Sequence, residues 1–249
     1  MKSEKISDAF NFIDDDIIEE VEKVRHNKKV KRRSLLKWGA LAACLVLAVS
    51  VTISVFYGPK GRIELSDASN NVSVTYTNKI PGISARFDLV PMTEEELFSI
   101  VDTIFKGTVT KIDNIEMNFN GEKEYRAIAE IKVEKSYRGS CQKSDTISVL
   151  LPCPFIEGYW VEDTETVSAM KVGMRGIFML KQYDDTFYEE RNGARLALRD
   201  IADYGFYDGS RYAFLETEKG LIFTKWAYES IADATTLEQI EEYVLRMID

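Results

Sequence analysis

The scarcest chemistry in this 249-residue chain is histidine, the side chain whose ordinary pKa suits proton transfer near neutrality, and there is one, His26. That count excludes Ser-His-Asp and Cys-His nucleophilic schemes, and histidine-built zinc sites, for everything after residue 26. No phosphate-cradling Walker loop, dinucleotide fingerprint or EF-hand loop is present either. Carboxylates remain. Glycoside hydrolysis needs two of them about 5 to 10 Å apart, and the 33 Asp/Glu after residue 37 always offer some pair, so the pattern has little specificity. The residues therefore predict a non-enzymatic protein with no catalytic residue, cofactor or metal site; the alternatives are an envelope binding module with no signalling role and, behind it, a carboxylate-dependent wall hydrolase.

Cysteine offers redox chemistry or a crosslink. Cys141 and Cys153 flank a predicted strand over 145–151. Seven extended residues span about 23 Å, whereas a disulfide needs Cα atoms within about 7 Å. A Cys141–Cys153 bridge requires the adjoining loops to fold back, and two separate thiols are the other reading.

Recognition chemistry is carried by aromatics. Phe155, Tyr159 and Trp160 fall in a connection of nearly twenty residues, Pro152 to Met170, with Glu157, Glu162, Asp163 and Glu165 around them. Long connections on a rigid scaffold often bind, and the expected ligand is an extracellular peptide or glycan. The same rings would serve equally as core closing one end of a barrel. Tyr204, Phe206, Tyr207 and Tyr212 make a second aromatic group around the turn signal Asp208-Gly209.

The elements that must position these groups begin with the charge distribution. The net charge is -9, from 41 acids and 32 bases; residues 1–37 hold ten bases and eight acids, leaving 22 bases against 33 acids beyond. An acidic surface repels phosphates, so the larger part is not expected to bind nucleic acid. Trp38 to Tyr57 is a run of twenty residues without a charge, long enough as a helix to cross a hydrocarbon core about 30 Å thick. Lys23 to Lys37 supply bases before it, which predicts a transmembrane helix at 38–57, a cytoplasmic N-terminus and an extracytoplasmic remainder.

Within 1–37, Ile6, Phe10, Ile13, Ile17, Val21 and Val24 recur every three or four residues, the stripe of an amphipathic helix. Such a helix is marginal alone, so Phe10, Ile13, Ile17 and Val21 are expected to meet a cytoplasmic partner. The competing reading is that Lys28 to Arg33 rest on anionic membrane lipid.

Two resemblances follow. Leu41-Ala42-Ala43-Cys44 resembles a lipobox, in which Cys44 would be lipidated, although the apolar residues after it fit a membrane helix better. Asp8-Ala9, the acidic run Asp14 to Glu20 and Lys37-Trp38-Gly39-Ala40 resemble a leader of single-pass proteins from clostridia-like Gram-positive bacteria, several of them anti-sigma-factor-like. The resemblance covers about 55 residues and implies a sigma factor captured through residues 1–33, without the zinc site common in such proteins.

Residues 58–92 read as a tether with strands at 71–78 and 84–89, and 93–249 as an extracytoplasmic α+β domain. Thr93 to Glu96 forms a capping box before a helix to about 102. Strands are predicted at 104–117, 125–136, 147–151 and 173–180, with Asn120-Gly121 as a hairpin turn. A hairpin joins 212–216 to 221–225, and a second capping box at Thr235 to Glu238 starts a last helix. Phe105 to Val109, Ile131 to Gly139 and Val172 to Leu180 resemble the netrin-like or metalloproteinase-inhibitor type of OB barrel, without those inhibitors' N-terminal cysteine. The expected fold class is thus α+β: an N-terminal amphipathic helix, one transmembrane helix, and a β-barrel-like, OB-type domain with short helices and a C-terminal helix.

Overall fold

Apolar and polar residues alternate through 103–138, broken by Asn120-Gly121, and this stretch folds as one long antiparallel hairpin. Its arms are β3 (Thr103–Phe119) and β4 (Glu122–Arg138), each of 17 residues. Asn120 and Gly121 both have positive φ, 49° and 96°, as a tight hairpin turn requires. The computed structural model describes residues 61–67, 71–81, 89–156 and 161–248. The chain divides into two units, Met1–Pro59 and Lys60–Asp249, and every described residue lies in the second.

Register shifts at Ile104/Phe105, Lys106/Gly107 and Val109/Lys111 bend the hairpin. Each bulge adds twist and curvature, so β3 pairs with β4 along one edge and with β6 (Arg175–Gln182) along the other. With β5 (Thr146–Leu151) and β9 (Tyr204–Gly205) the ring closes in the order β3-β4-β5-β9-β6, back to β3. Only β5 and β9 run parallel. Five strands closed in this manner leave no exposed edge in the barrel itself. Inside sit Phe105, Val109, Ile131, Val149, Phe178 and Leu180, all fully buried. Gly107 and Gly176 permit the close approach: a Cβ on either would lie 2.7 Å from a backbone oxygen of the neighbouring strand.

The sheet extends beyond the barrel at both ends. β10 (Ala213–Thr217) and β11 (Gly220–Ile222) add to β6, while β1 (Arg62–Ile63) and β2 (Val72–Tyr76) add to the far half of β3. Two further cores result. On the outer face of β6 and β10, Ile177, Met179 and Phe214 pack against α1 (Glu94–Ile100) and α3 (Leu237–Ile248), through Leu97, Phe98, Ile240 and Val244. Gly176-Ile177-Phe178-Met179-Leu180 is continuously apolar because β6 is buried on both faces. At the other end Val74, Ile115, Met117 and Phe119 are covered by the hairpin of β7 (Tyr188–Arg191) and β8 (Ala194–Ala197), with Leu196 inserted.

The fold class requires correction. The described chain is mainly β, with α-helix confined to a short α1, a single-turn α2 (Glu165–Ser168) and α3, besides three single-turn 3-10 helices. Among the described residues no helix is long and apolar enough to cross a membrane; the longest, α3, has 12 residues, against about 20 required. The fold of the described residues therefore contains no transmembrane helix, against the expected fold class. The expected amphipathic helix in 1–37, the transmembrane helix at 38–57, Cys44 and the strand at 84–89 lie wholly or almost wholly outside the described residues. The last capping box is also shifted by one residue. Gln239 Oε1 accepts from the backbone N–H of Thr236 at 3.1 Å and the Gln239 backbone N–H donates to Thr236 Oγ1 at 3.4 Å, so the box is Thr236 with Gln239.

Candidate functional site

Asn114 on β3 grips the start of the connection after β5. Its amide nitrogen donates to the Phe155 carbonyl at 2.8 Å, and its oxygen accepts from the Phe155 backbone at 2.7 Å. This bracket turns the Phe155 ring toward the barrel core, where it packs half-buried, while Ile156 next to it is exposed. Tyr159 and Trp160 lie outside the described residues. Where the chain resumes, Val161, Thr164, Val167 and Met170 are all buried. Of the three aromatics expected to bind or to close the barrel, only Phe155 is described, and it packs against the core.

The connection meets the second aromatic group. Gly209 packs so closely on Thr164 that a Cβ would lie 2.7 Å from its Cγ2, and Val167 donates to the Gly209 carbonyl at 3.0 Å. Asp208 and Arg211 fix the turn between them. Arg211, 1% exposed, donates through Nε to Asp208 Oδ2 at 2.8 Å and through Nη1 to the Val90 carbonyl at 2.7 Å. Asp208 Oδ1 accepts from the backbone of Ser210 and Arg211. Tyr204 lies in the barrel core and Tyr212 under α1, whereas Tyr207 is exposed, its ring against Tyr212 with centroids 5.8 Å apart. Thr224 Oγ1 donates to the Ser210 carbonyl at 2.5 Å, so the turn joins three segments, around 90, 164 and 224, and most of its aromatics are structural.

A concave feature of suitable size lies at the barrel mouth. β6 and β10 pair from Phe178 with Ala213 to Gly176 with Leu215 and then diverge. Preceding β6, Gly173 and Met174 are drawn to β3 by bonds to Val109 at 2.8 and 2.9 Å, while the β10–β11 hairpin turns away. Between them opens a groove of about 990 Å³. Its floor is Val172, Met174 and Ile222, and its rim includes Lys171, Arg175, Glu216, Glu218 and Lys219. Met174 and Ile222 pack, partly buried, against the barrel core, and Val172 is 61% exposed. Arg175 stands at one end, donating to Glu134 and to Glu216 at 3.1 Å each. The Arg175 bond, set against burial, holds the Glu134 carboxyl below the usual range.

No charged pair in this groove is arranged for proton transfer. A carboxylate pair does occur elsewhere: Glu124 and Glu189 both bind the guanidinium of Arg126 beneath the β7–β8 hairpin. Burial raises the Glu124 pKa, with Arg126 opposing and Glu189 reinforcing. Both carboxylates are engaged by guanidinium groups, Glu124 also by Arg191 at 2.9 Å, which makes the cluster a clasp for the hairpin. Cys141 and Cys153 are free, buried thiols on either side of β5, and burial pushes Cys153 up to about 11. Among the described residues no group of three or more His, Cys, Asp or Glu is placed to hold a metal ion.

Sequence reasoning passed over Val172, Met174 and Ile222. Gly173, which breaks the pattern just before a fully buried strand, was the available signal, since its φ of 89° starts the divergence that opens the groove. No protein-family model matches the chain, and no curated protein or solved structure is significantly similar to it.

Proposed function

We propose that this chain is a non-enzymatic, membrane-tethered sensing protein: the β domain binds a peptide or glycan outside the cell membrane and reports to a cytoplasmic partner through residues 1–33. The observation that carries the binding part is the open groove of about 990 Å³ with an apolar floor and a rim of both charge signs. Ligand sites are concave and mostly apolar, with a few polar groups fixing orientation, and typically hold 300 to 1,000 Å³. Val172 supplies exposed apolar area at no evident benefit to folding. The signalling part rests on sequence: the apolar stripe of Phe10, Ile13, Ile17 and Val21, and the leader's resemblance to anti-sigma-factor-like proteins. A sigma factor is the proposed partner.

Two measurements on the full-length chain test this. Co-purification from membranes is compared with a version lacking residues 1–33, and a cytoplasmic sigma factor should accompany only the complete chain. Wall-derived peptides and glycans are titrated against wild type and Val172→Asp, a change at an exposed position of the groove. The variant should lose binding while melting within a few degrees of wild type. Recovery of no cytoplasmic protein would remove the signalling part, and equal binding by the variant would remove the groove from recognition. A membrane-tethered binding module without signalling is the reading left by the first failure alone.

A further inference from the structure

A second concavity, of about 640 Å³, lies on the outer wall of the barrel and has the opposite charge to the domain that carries it. Its lining contains Lys106, Lys132, Lys135, Lys143 and Arg175 against one acid, Glu134. Beyond residue 37 the chain has only 22 bases against 33 acids, so five bases on one short stretch of wall is a concentration. The strand register produces it. Lys106 and Lys135 are direct partners across β3 and β4, and Arg175, Thr108 and Lys132 form a row across β6, β3 and β4.

Like charges placed directly opposite are destabilising, and the fold compensates for only some of them. Glu241 of α3 bridges Lys106 and Lys135, and Glu134 and Glu216 hold Arg175. Lys132 and Lys143 are exposed and make no ion pair among the described residues. Lys143 is nonetheless held in place. The turn that bears it is pinned to β4, Ser144 donating to the Val133 carbonyl at 2.9 Å and Val133 to the Asp145 carbonyl at 2.8 Å. The anchoring residue, Val133, adjoins Lys132. Counting Glu241 and Glu216 with the lining still leaves the groove net positive.

The geometry points to this groove as a binding site for a linear, phosphate-bearing polyanion, with Lys132 and Lys143 as the unpaired cations that meet its phosphates. Two features select that ligand class. The cations converge in a concavity, which admits a chain and suits a flat bilayer surface poorly. The lining contains no aromatic ring, whereas single-stranded nucleic acid gains much of its affinity by stacking bases on aromatics. The site shares Arg175 with the rim of the mouth groove, but Lys132 and Lys143 line only this concavity and the apolar floor lines only the other, so either assignment can fail alone.

The test uses the full-length chain and inorganic polyphosphate, titrated by calorimetry at several salt concentrations. Lys132→Glu/Lys143→Glu is compared with Lys79→Glu/Lys225→Glu, which changes net charge equally at exposed positions outside this groove and leaves the basic N-terminal segment intact. The groove variant should bind at least about tenfold more weakly than the control. Its dependence of log affinity on log salt should be shallower by about 1.4, for two lost phosphate contacts at about 0.7 each. All four lysines are exposed, so melting temperatures should match and a folding defect is separately visible. Equal affinity of the two variants would overturn the proposal. Lysine-dependent binding to phosphatidylglycerol vesicles without binding to polyphosphate would overturn it in favour of a membrane surface.

Discussion

Glu241 shows how one carboxylate decides where a helix sits. Burial alone would raise its pKa, but the bonds from Lys106 and Lys135 outweigh that and hold it down to about 2. A carboxyl whose folded value lies below its unfolded value, about 4.3, contributes stability that is fully present above that value and is lost as the pH falls toward 2. The side chain is 15% exposed, so after some screening the contribution is about 2 kcal/mol. Glu241→Gln should therefore lose about that much at pH 7 and unfold with a flatter pH dependence between 5 and 2. Urea midpoints measured across that range decide it, and a variant curve parallel to wild type would rule the linkage out. Cys153 gives a second test at this scale. Reaction needs the thiolate, and a buried thiol at about 11 offers almost none. Iodoacetamide at pH 8 should leave Cys153 unmodified in the native protein and label it in urea, as mass spectrometry of the peptide would read.

At the scale of elements, the strands were legible where one periodicity ran uninterrupted. The β3–β4 hairpin, its Asn120-Gly121 turn, the Thr93–Glu96 capping box and the doubly buried β6 all follow from local pattern. The β7–β8 hairpin did not, although Asn192-Gly193 is the same turn signal, with φ of 45° and 71°. Its strands, Tyr-Glu-Glu-Arg and Ala-Arg-Leu-Ala, look like solvent-exposed polar chain, and only Ala194 and Leu196 are buried. What holds it is long-range: Arg126 reaching Glu189, and Asn192 donating to the Asn120 carbonyl at 2.8 Å. The candidate groove was illegible for a similar reason, because its walls come from β6 and β10, some forty residues apart, and exist only where their pairing stops. The turn of Asp208 to Arg211 is the element whose loss should cost most. Removing one partner of a buried ion pair typically costs about 3 to 5 kcal/mol, because the other charge stays buried and unpaired. Arg211→Met should cost that much, and adding Asp208→Asn should recover part of it. A double-mutant cycle from denaturant unfolding measures the coupling, and strictly additive losses would show that Asp208 and Arg211 act independently.

The described unit is held together by two strands. β3 and β4 remain paired from Ile104 with Arg138 to Phe119 with Glu122. One half of that ladder closes the barrel around Phe105 and Phe178, and the other carries the core of Val74, Met117 and Phe119. The third core, under α1 and α3, shares β6 with the barrel, with Ile177 and Met179 facing outward and Phe178 and Leu180 inward. No core can lose its strands without breaking backbone bonds that another uses. The described unit should therefore open as one cooperative body despite its three separate clusters. Phe119→Ala and Phe178→Ala each remove a fully buried ring, at about 3 to 5 kcal/mol. Native-state amide exchange on the full-length chain reads the consequence strand by strand. In either variant the slow amides near Val109 and near Met117 should fall in protection together and by the same free energy. If Phe119→Ala loosened 115–119 while 104–109 kept wild-type protection, the extension would be a separately folding attachment, and binding at the barrel mouth could not be transmitted to β1 and β2 through the ladder.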